Sequence, residues 1–212
     1  MSTLINRVFQ MDGLYVERSL RQLPLKKLCE HSFKDYHVRG VNYLCLERSC
    51  NITTKVYLLD PVEHGKGYVA NPHNHRYHFK TTVLNGSLKN LVFEERQAQE
   101  DHSDLYWKYA YFHHTHQFER LNKVLLHLNH IDHCEVGESY DLSPNEIHTI
   151  QVSEKEPTVL FLQQYPDVVP ESYPGEFYCR ESSPPNVDGL YQRYSEEEVR
   201  DLREKILQLI CK

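Results

Sequence analysis

The chain has little of what marks the extremes of protein class. Its 212 residues include 2 Met, 1 Trp, 8 Gly and 10 Pro, far from the glycine and proline excess of a collagen-like or low-complexity chain. No run approaches the roughly 18 consecutive apolar residues of a membrane span, and residues 1–18 carry Asn, Arg, Gln and Asp where a signal peptide needs an apolar stretch. A cytoplasmic protein is expected. There is no long basic run, and 24 Lys+Arg against 30 Asp+Glu give a net charge of -6, so neither nucleic-acid phosphates nor anionic lipid headgroups are expected partners. Cys29, Cys45, Cys50, Cys134, Cys179 and Cys211 form no C-x-x-C pair. In a chain large enough to fold without staples they read as free, mostly buried thiols.

What is present is 40% hydrophobic and 25% charged residues, enough for a real core, and an unusual 14 His. The length suits one compact domain, in which three segments differ in pattern. Residues 1–40 form an N-terminal helical segment, where the uneven recurrence of Leu14, Val16, Leu20, Leu23, Leu25 and Leu28 suggests two short helical pieces broken at Pro24. Residues 41–165 are rich in β-branched and aromatic runs, with strands expected at 55–62, 77–84, 87–94, 105–113, 123–135, 147–152 and 157–165. Asn85-Gly86 between two of these runs suggests a type I′ hairpin turn. Residues 166–212 read as an irregular, proline-rich wrap followed by a helix, with Ser195 as N-cap, Glu198 completing a capping box, and Val199, Leu202, Ile206, Leu209 and Ile210 on the docking face. The fold class is mainly β, a sandwich or barrel with short N-terminal helices and a C-terminal helix.

Histidine is the commonest metal ligand, and a metal needs several ligands that converge. On an extended run, side chains alternate faces, so His73 and His75 point the same way and Asn74 points away. A second segment holds Gly137, Pro144 and His148. His78 and Glu146 stand close enough in sequence to be outer-shell partners or alternative ligands. His113, His114, His116, His127, His130 and His133 are read as ordinary polar positions.

An H-x-H at 73–75, a glycine at a hairpin eleven residues on (Gly86), and a later Pro144 to His148 segment resemble the two motifs of the cupin family, over about half of the chain. That resemblance implies a jelly-roll or double-stranded β-helix barrel with the metal inside. Where a typical cupin has a metal-binding Glu, four residues after the second His, Phe79 stands here; the second motif is one residue short at its glycine, with Glu146 close by. Three neutral imidazoles leave the full 2+ charge on the ion and favour an anionic co-ligand such as a thiolate or enolate. The segments 73–93 and 148–166 are similar to cysteine dioxygenase-type, three-His thiol dioxygenases.

The resemblance implies His73, His75 and His148 as ligands of Fe(II), Tyr165 as a hydrogen-bond donor to bound oxygen or substrate, and a substrate-carboxylate Arg. For that Arg the nearest positions are Cys45 and Arg48, with Arg76 inside the first motif. The family's cross-linking Cys is matched by Phe79 or Lys80. The expected function is an Fe(II)-dependent oxygenase acting on O₂ and a small polar, anionic, thiol- or amino-acid-like metabolite. Two other readings share the barrel: a Zn, Ni or Mn isomerase, epimerase or lyase in which Glu146 or Tyr165 moves a proton, and a non-catalytic ligand-binding module.

Overall fold

The computed structural model describes residues 2–60, 69–97, 105–112, 115, 117–184 and 186–211, residues 2–10 by backbone alone. Helices α1 (Ser2–Gln22) and α2 (Leu25–Cys29) precede β1 (Val41–Arg48), β2 (Thr53–Leu59), β3 (Tyr77–Asn85), β4 (Leu88–Gln97) and β5 (Leu105–Phe112). Then follow β6 (Gln117–Cys134), β7 (Ser139–Leu142), β8 (Ile147–Val152), β9 (Thr158–Asp167), β10 (Gly175–Cys179) and α3 (Glu196–Ile210). The strands form two five-stranded antiparallel sheets, ordered β1-β2-β9-β3-β7 and β10-β5-β6-β4-β8. From β7 onward consecutive strands pass from one sheet to the other, so the sheets face each other as a double-stranded β-helix, the expected jelly roll.

Each face of the first sheet has its own core. Toward the second sheet, Phe79, Val83, Tyr140, Leu142 and Leu160 meet Leu88, Val92 and Cys134. On the opposite face Leu44, Val56, Val159 and Phe161 pack under Val16, Leu20, Leu28, Val199 and Ile206 of the three helices. At about 1.5–3 kcal/mol for each fully buried aliphatic or aromatic side chain, this second layer is what docks the helices on the barrel. One consequence for the site is a fixed phase on β9. Val159 and Phe161 face the helices, and Leu160 and Leu162 face the barrel interior.

α3 begins as expected, Ser195 accepting from Glu198 N while the Glu198 carboxylate accepts from Ser195 N. α1 differs from the expected short pieces: it is one 21-residue helix, and Pro24 ends it by N-capping α2 in an extended conformation (φ -61°, ψ 144°). Its buried stripe includes Val16 and Leu20, while Leu14 is 64% exposed. The expected strands are present where residues are described, with 61–62 and 113 outside the described set and β6 starting earlier, at Gln117. β1, β7 and β10 are additions. β1 is buried on both faces, β7 has four residues, and β10 follows a proline-rich stretch read as irregular.

The 85–86 turn is not type I′. Only Gly86 takes a positive φ (+77°), and Asn85 stays in β3, its amide donating to Pro157 O at 2.7 Å. A Cβ on Gly86 would sit 2.8 Å from Thr158 Oγ1, so close approach as well as φ requires glycine. The six cysteines are free; Cys45, Cys134 and Cys179 are buried, Cys29 is half-buried, and Cys50 and Cys211 are exposed. Among the described residues no helix is long and apolar enough to cross a membrane.

Candidate metal centre

The second sheet has two free edges, β8 and β10, and residues 72–74 join them. His73 and His148 exchange both backbone hydrogen bonds, His73 N to His148 O at 3.0 Å and His148 N to His73 O at 2.9 Å. On the other side Pro72 O accepts from Tyr178 N (2.9 Å) and Asn74 N donates to Glu176 O (3.2 Å). Pro72 has no N–H to satisfy, which suits a position that only accepts. The Asn74 side chain turns away from the histidines and pairs with Glu176, accepting from its N at 2.8 Å and donating to its carboxylate at 3.1 Å. The alternation expected for 73–75 is what the structure shows.

At this seam His73, His75 and His148 bring one ring nitrogen each to within 4.8 Å of the others. The Nε2 atoms of His75 and His148 are 3.0 Å apart. Two rings are oriented from behind. His73 Nδ1 lies 2.8 Å from Asn71 O, and His148 Nδ1 lies 2.8 Å from Asn90 Oδ1. A carbonyl oxygen can only accept, so both Nδ1 atoms carry the proton and both Nε2 lone pairs are left for an ion. Asn90 is wholly buried and its own amide donates to Asp132 Oδ2 at 3.0 Å, which settles which end of the amide faces His148.

Burial holds all three imidazoles neutral, pulling His73 below the ordinary histidine range and His75 and His148 well below it, with the neighbouring rings adding to the effect on the latter two. Neutral imidazoles are the ligating form. Aromatic rings close the surroundings: Phe79 stands 5.0 Å from His75 and 5.7 Å from His148, Tyr77 is 5.1 Å from His75, and Phe177 stacks on His73 at 5.8 Å. Phe79, 3% exposed, thus packs against the ligand set at the sequence position where the cupin resemblance had placed a carboxylate. Among the described residues no other His, Cys, Asp or Glu joins the three. The donor set fits a divalent, nitrogen-seeking ion with positions left open.

The remaining expected residues fall elsewhere. His78 is exposed, on the opposite face of β3 from Tyr77 and Phe79. Glu146 bends back to accept from Ser143 N, stapling the turn before β8 instead of reaching the ion site. Tyr165 is 42% exposed and shares a small outer hollow with His78 and Ser143. The phase of β9 explains this, since the residue on the interior face is Gln164. Arg76 does reach the interior, but is paired with Asp167 at 2.6 Å. His127, His130 and His133 are exposed on β6, and His113, His114 and His116 lie outside the described residues.

His73 and His75 open onto a cavity of about 470 Å³, within the range of small-molecule sites. Its wall also holds Cys45, Arg48 and Arg76, and two residues that sequence reasoning missed, Lys55 and Gln164. The only signal for Lys55 was a lysine inside the apolar run of β2; Asn90, likewise missed, had none beyond its place on an expected strand.

No family model matches the chain, and no curated protein matches it. Among solved structures it is similar to the DMSP lyase DddQ of Ruegeria pomeroyi, with a TM-score of 0.37 and 12% identity over 61% of this chain and 49% of that one. It is also similar to a variant of the Bacillus subtilis oxalate decarboxylase (TM-score 0.40, 15% identity, 69% of this chain and 30% of that one). A third is an RmlC-like cupin of Shewanella frigidimarina (TM-score 0.36, 15% identity, 66% and 87%). The chain spans about half the length of the lyase and under a third of the decarboxylase. Likenesses this distant do not bear on activity, and the double-stranded β-helix rests on the chain's own strand order.

Proposed function

We propose that the protein is a metal-dependent enzyme of the Fe(II) oxygenase kind, acting on a small polar, anionic, thiol- or amino-acid-like metabolite. The observation that carries this reading is the convergence of three neutral histidines, two of which, His73 and His75, line a small cavity, with no carboxylate joining them among the described residues. His73, His75 and His148 would hold the ion through nitrogen alone, leaving its 2+ charge unneutralised and open positions facing the cavity. Bound iron would supply the electron transfer to O₂ that side chains lack, with a chelated substrate beside it.

The chain's own contribution is placement and exclusion of water. Asn71 O and Asn90 fix two imidazoles in their ligating tautomer, and Tyr77, Phe79 and Phe177 shield the ligands. Tyr36 and Tyr77 on the cavity wall stay protonated, since burial pushes Tyr36 up to about 12 and Tyr77 higher still. They are hydroxyl donors for a substrate, the role the sequence reading gave to Tyr165.

The test is oxygen consumption by anaerobically iron-loaded protein given 2-mercaptoethanol, 3-mercaptopropanoate or cysteine, repeated with His148→Ala. Thiol-dependent uptake that disappears in the variant is expected. Turnover of a substrate under strict anaerobiosis would replace this reading by the non-oxidative isomerase or lyase one, which keeps the same three ligands.

A further inference from the structure

We propose that Lys55 is the docking point for the carboxylate of a small acid whose other end reaches the three-histidine site, a proposal that rests on the metal centre proposed above. Lys55 is 6% exposed, on β2, and lines the same cavity as His73 and His75. Its Nζ lies over the rings of Tyr43 and Tyr36, 5.2 and 5.4 Å from their centroids, and donates to Gln164 Oε1 at 3.0 Å. An ammonium has three donors, and among the described residues Gln164 is its one hydrogen-bond acceptor and no carboxylate pairs with it.

The acids on the cavity wall are already engaged. Asp167 pairs with Arg76 at 2.6 Å, and Glu176 with Lys108 at 2.6 Å. Arg48, a second cation on the wall, forms no ion pair among the described residues. The protein therefore buries a positive charge and leaves its neutralisation to a ligand. An apolar side chain of the same length would pack between Tyr36 and Tyr43 without that penalty, so stability does not account for a lysine here.

The chemistry favours a carboxylate. Lys55 has two donors to spare, and because Gln164 Oε1 already accepts from Lys55, its amide N–H groups are available to the same anion. Burial pulls Lys55 down to about 8, which still leaves the cation dominant at neutral pH. The cavity volume of about 470 Å³ leaves room for a small acid beside the histidines.

Two independent arms test this, using Lys55→Met and the charge-keeping Lys55→Arg. In the first, cobalt-loaded protein is titrated with 3-mercaptopropanoate and 2-mercaptoethanol, following the thiolate-to-cobalt absorption. The wild type should bind the acid about tenfold more tightly, Lys55→Met should abolish the preference at unchanged cobalt content, and Lys55→Arg should keep part of it. In the second, metal-free protein is melted with propanoate, methanesulfonate or inorganic phosphate at matched ionic strength. Propanoate should raise the Tm of the wild type and not of Lys55→Met, while Lys55→Met alone melts no lower than wild type.

No preference in the wild type, or one that survives in Lys55→Met, would overturn the proposal, as would phosphate outperforming propanoate. If cobalt is not taken up, the metal reading fails by itself and the melting arm still decides the role of Lys55.

Discussion

Histidine occupies two β settings in this chain. His73, His75 and His148 sit at the seam of the second sheet, turned inward, neutralised by burial, and two of them are held from behind by an oxygen on Nδ1. His127, His130 and His133 lie on β6, exposed, and His130 Nε2 stands 3.7 Å from the carboxylate of Asp132. Both groups are on extended backbone, the first with two histidines two residues apart and the second with three at three-residue steps. What separates them is the direction the backbone gives the ring and the partner that fixes its tautomer. Asp132 touches both settings, and only the inward one uses it through a buried relay, by way of Asn90.

That contrast can be broken from its strongest member downward. His148→Ala should abolish stoichiometric metal uptake, measured by elemental analysis after loading and desalting, because it removes a ligand and the partner of Asn90 together. Next in size is a stability effect at the cavity's other buried group, Lys55. Its ordinary value is 10.5 and burial brings it to about 8 in the folded protein. Below pH 8 both states carry the ammonium and the folded state bears its full burial cost. Between pH 8 and 10.5 the unfolded chain binds more protons, so stability rises with pH. Chemical denaturation across this window should show the wild type gaining up to about 3 kcal/mol relative to Lys55→Met.

Asn90→Ala tests the rear support, leaving the His148 Nδ1–H without its acceptor. Metal affinity, by competition with a chromophoric chelator, should fall about 10–100-fold while the three ligands remain. The smallest effect is expected outside: a His127→Ala, His130→Ala double variant should keep its metal and change stability by no more than about 0.5 kcal/mol per site. A loss of metal there would erase the distinction between the two settings.

The inward histidines were legible because alternation acts at short range: the backbone that points His73 inward also points His75 inward and Asn74 out. Tyr165 was misplaced because β9 is buried on both sides, Val159 and Phe161 under the helices and Leu160 and Leu162 in the barrel. With no polar face, the run does not reveal its phase, and a one-residue ambiguity exchanges Tyr165 for Gln164. Lys55 was hidden for a related reason, β2 being covered on both faces, so a lysine there reads as an edge until Tyr36 and Tyr43 are seen around it. Arg76 reaches the cavity as its position in the first motif suggested, yet its charge is met by Asp167, a partner ninety-one residues away that no local pattern announces. β10, which closes the seam against residues 72–74, follows prolines that mask its five-residue strand.

The most direct measurement is the metal stoichiometry and coordination of the wild-type protein. Apoprotein titrated with Co(II) should take up one ion per chain, with X-ray absorption showing three imidazole nitrogens and no protein carboxylate in the shell. Failure to bind a divalent ion stoichiometrically, or a shell that contains a carboxylate or keeps its imidazoles in His148→Ala, would contradict the account.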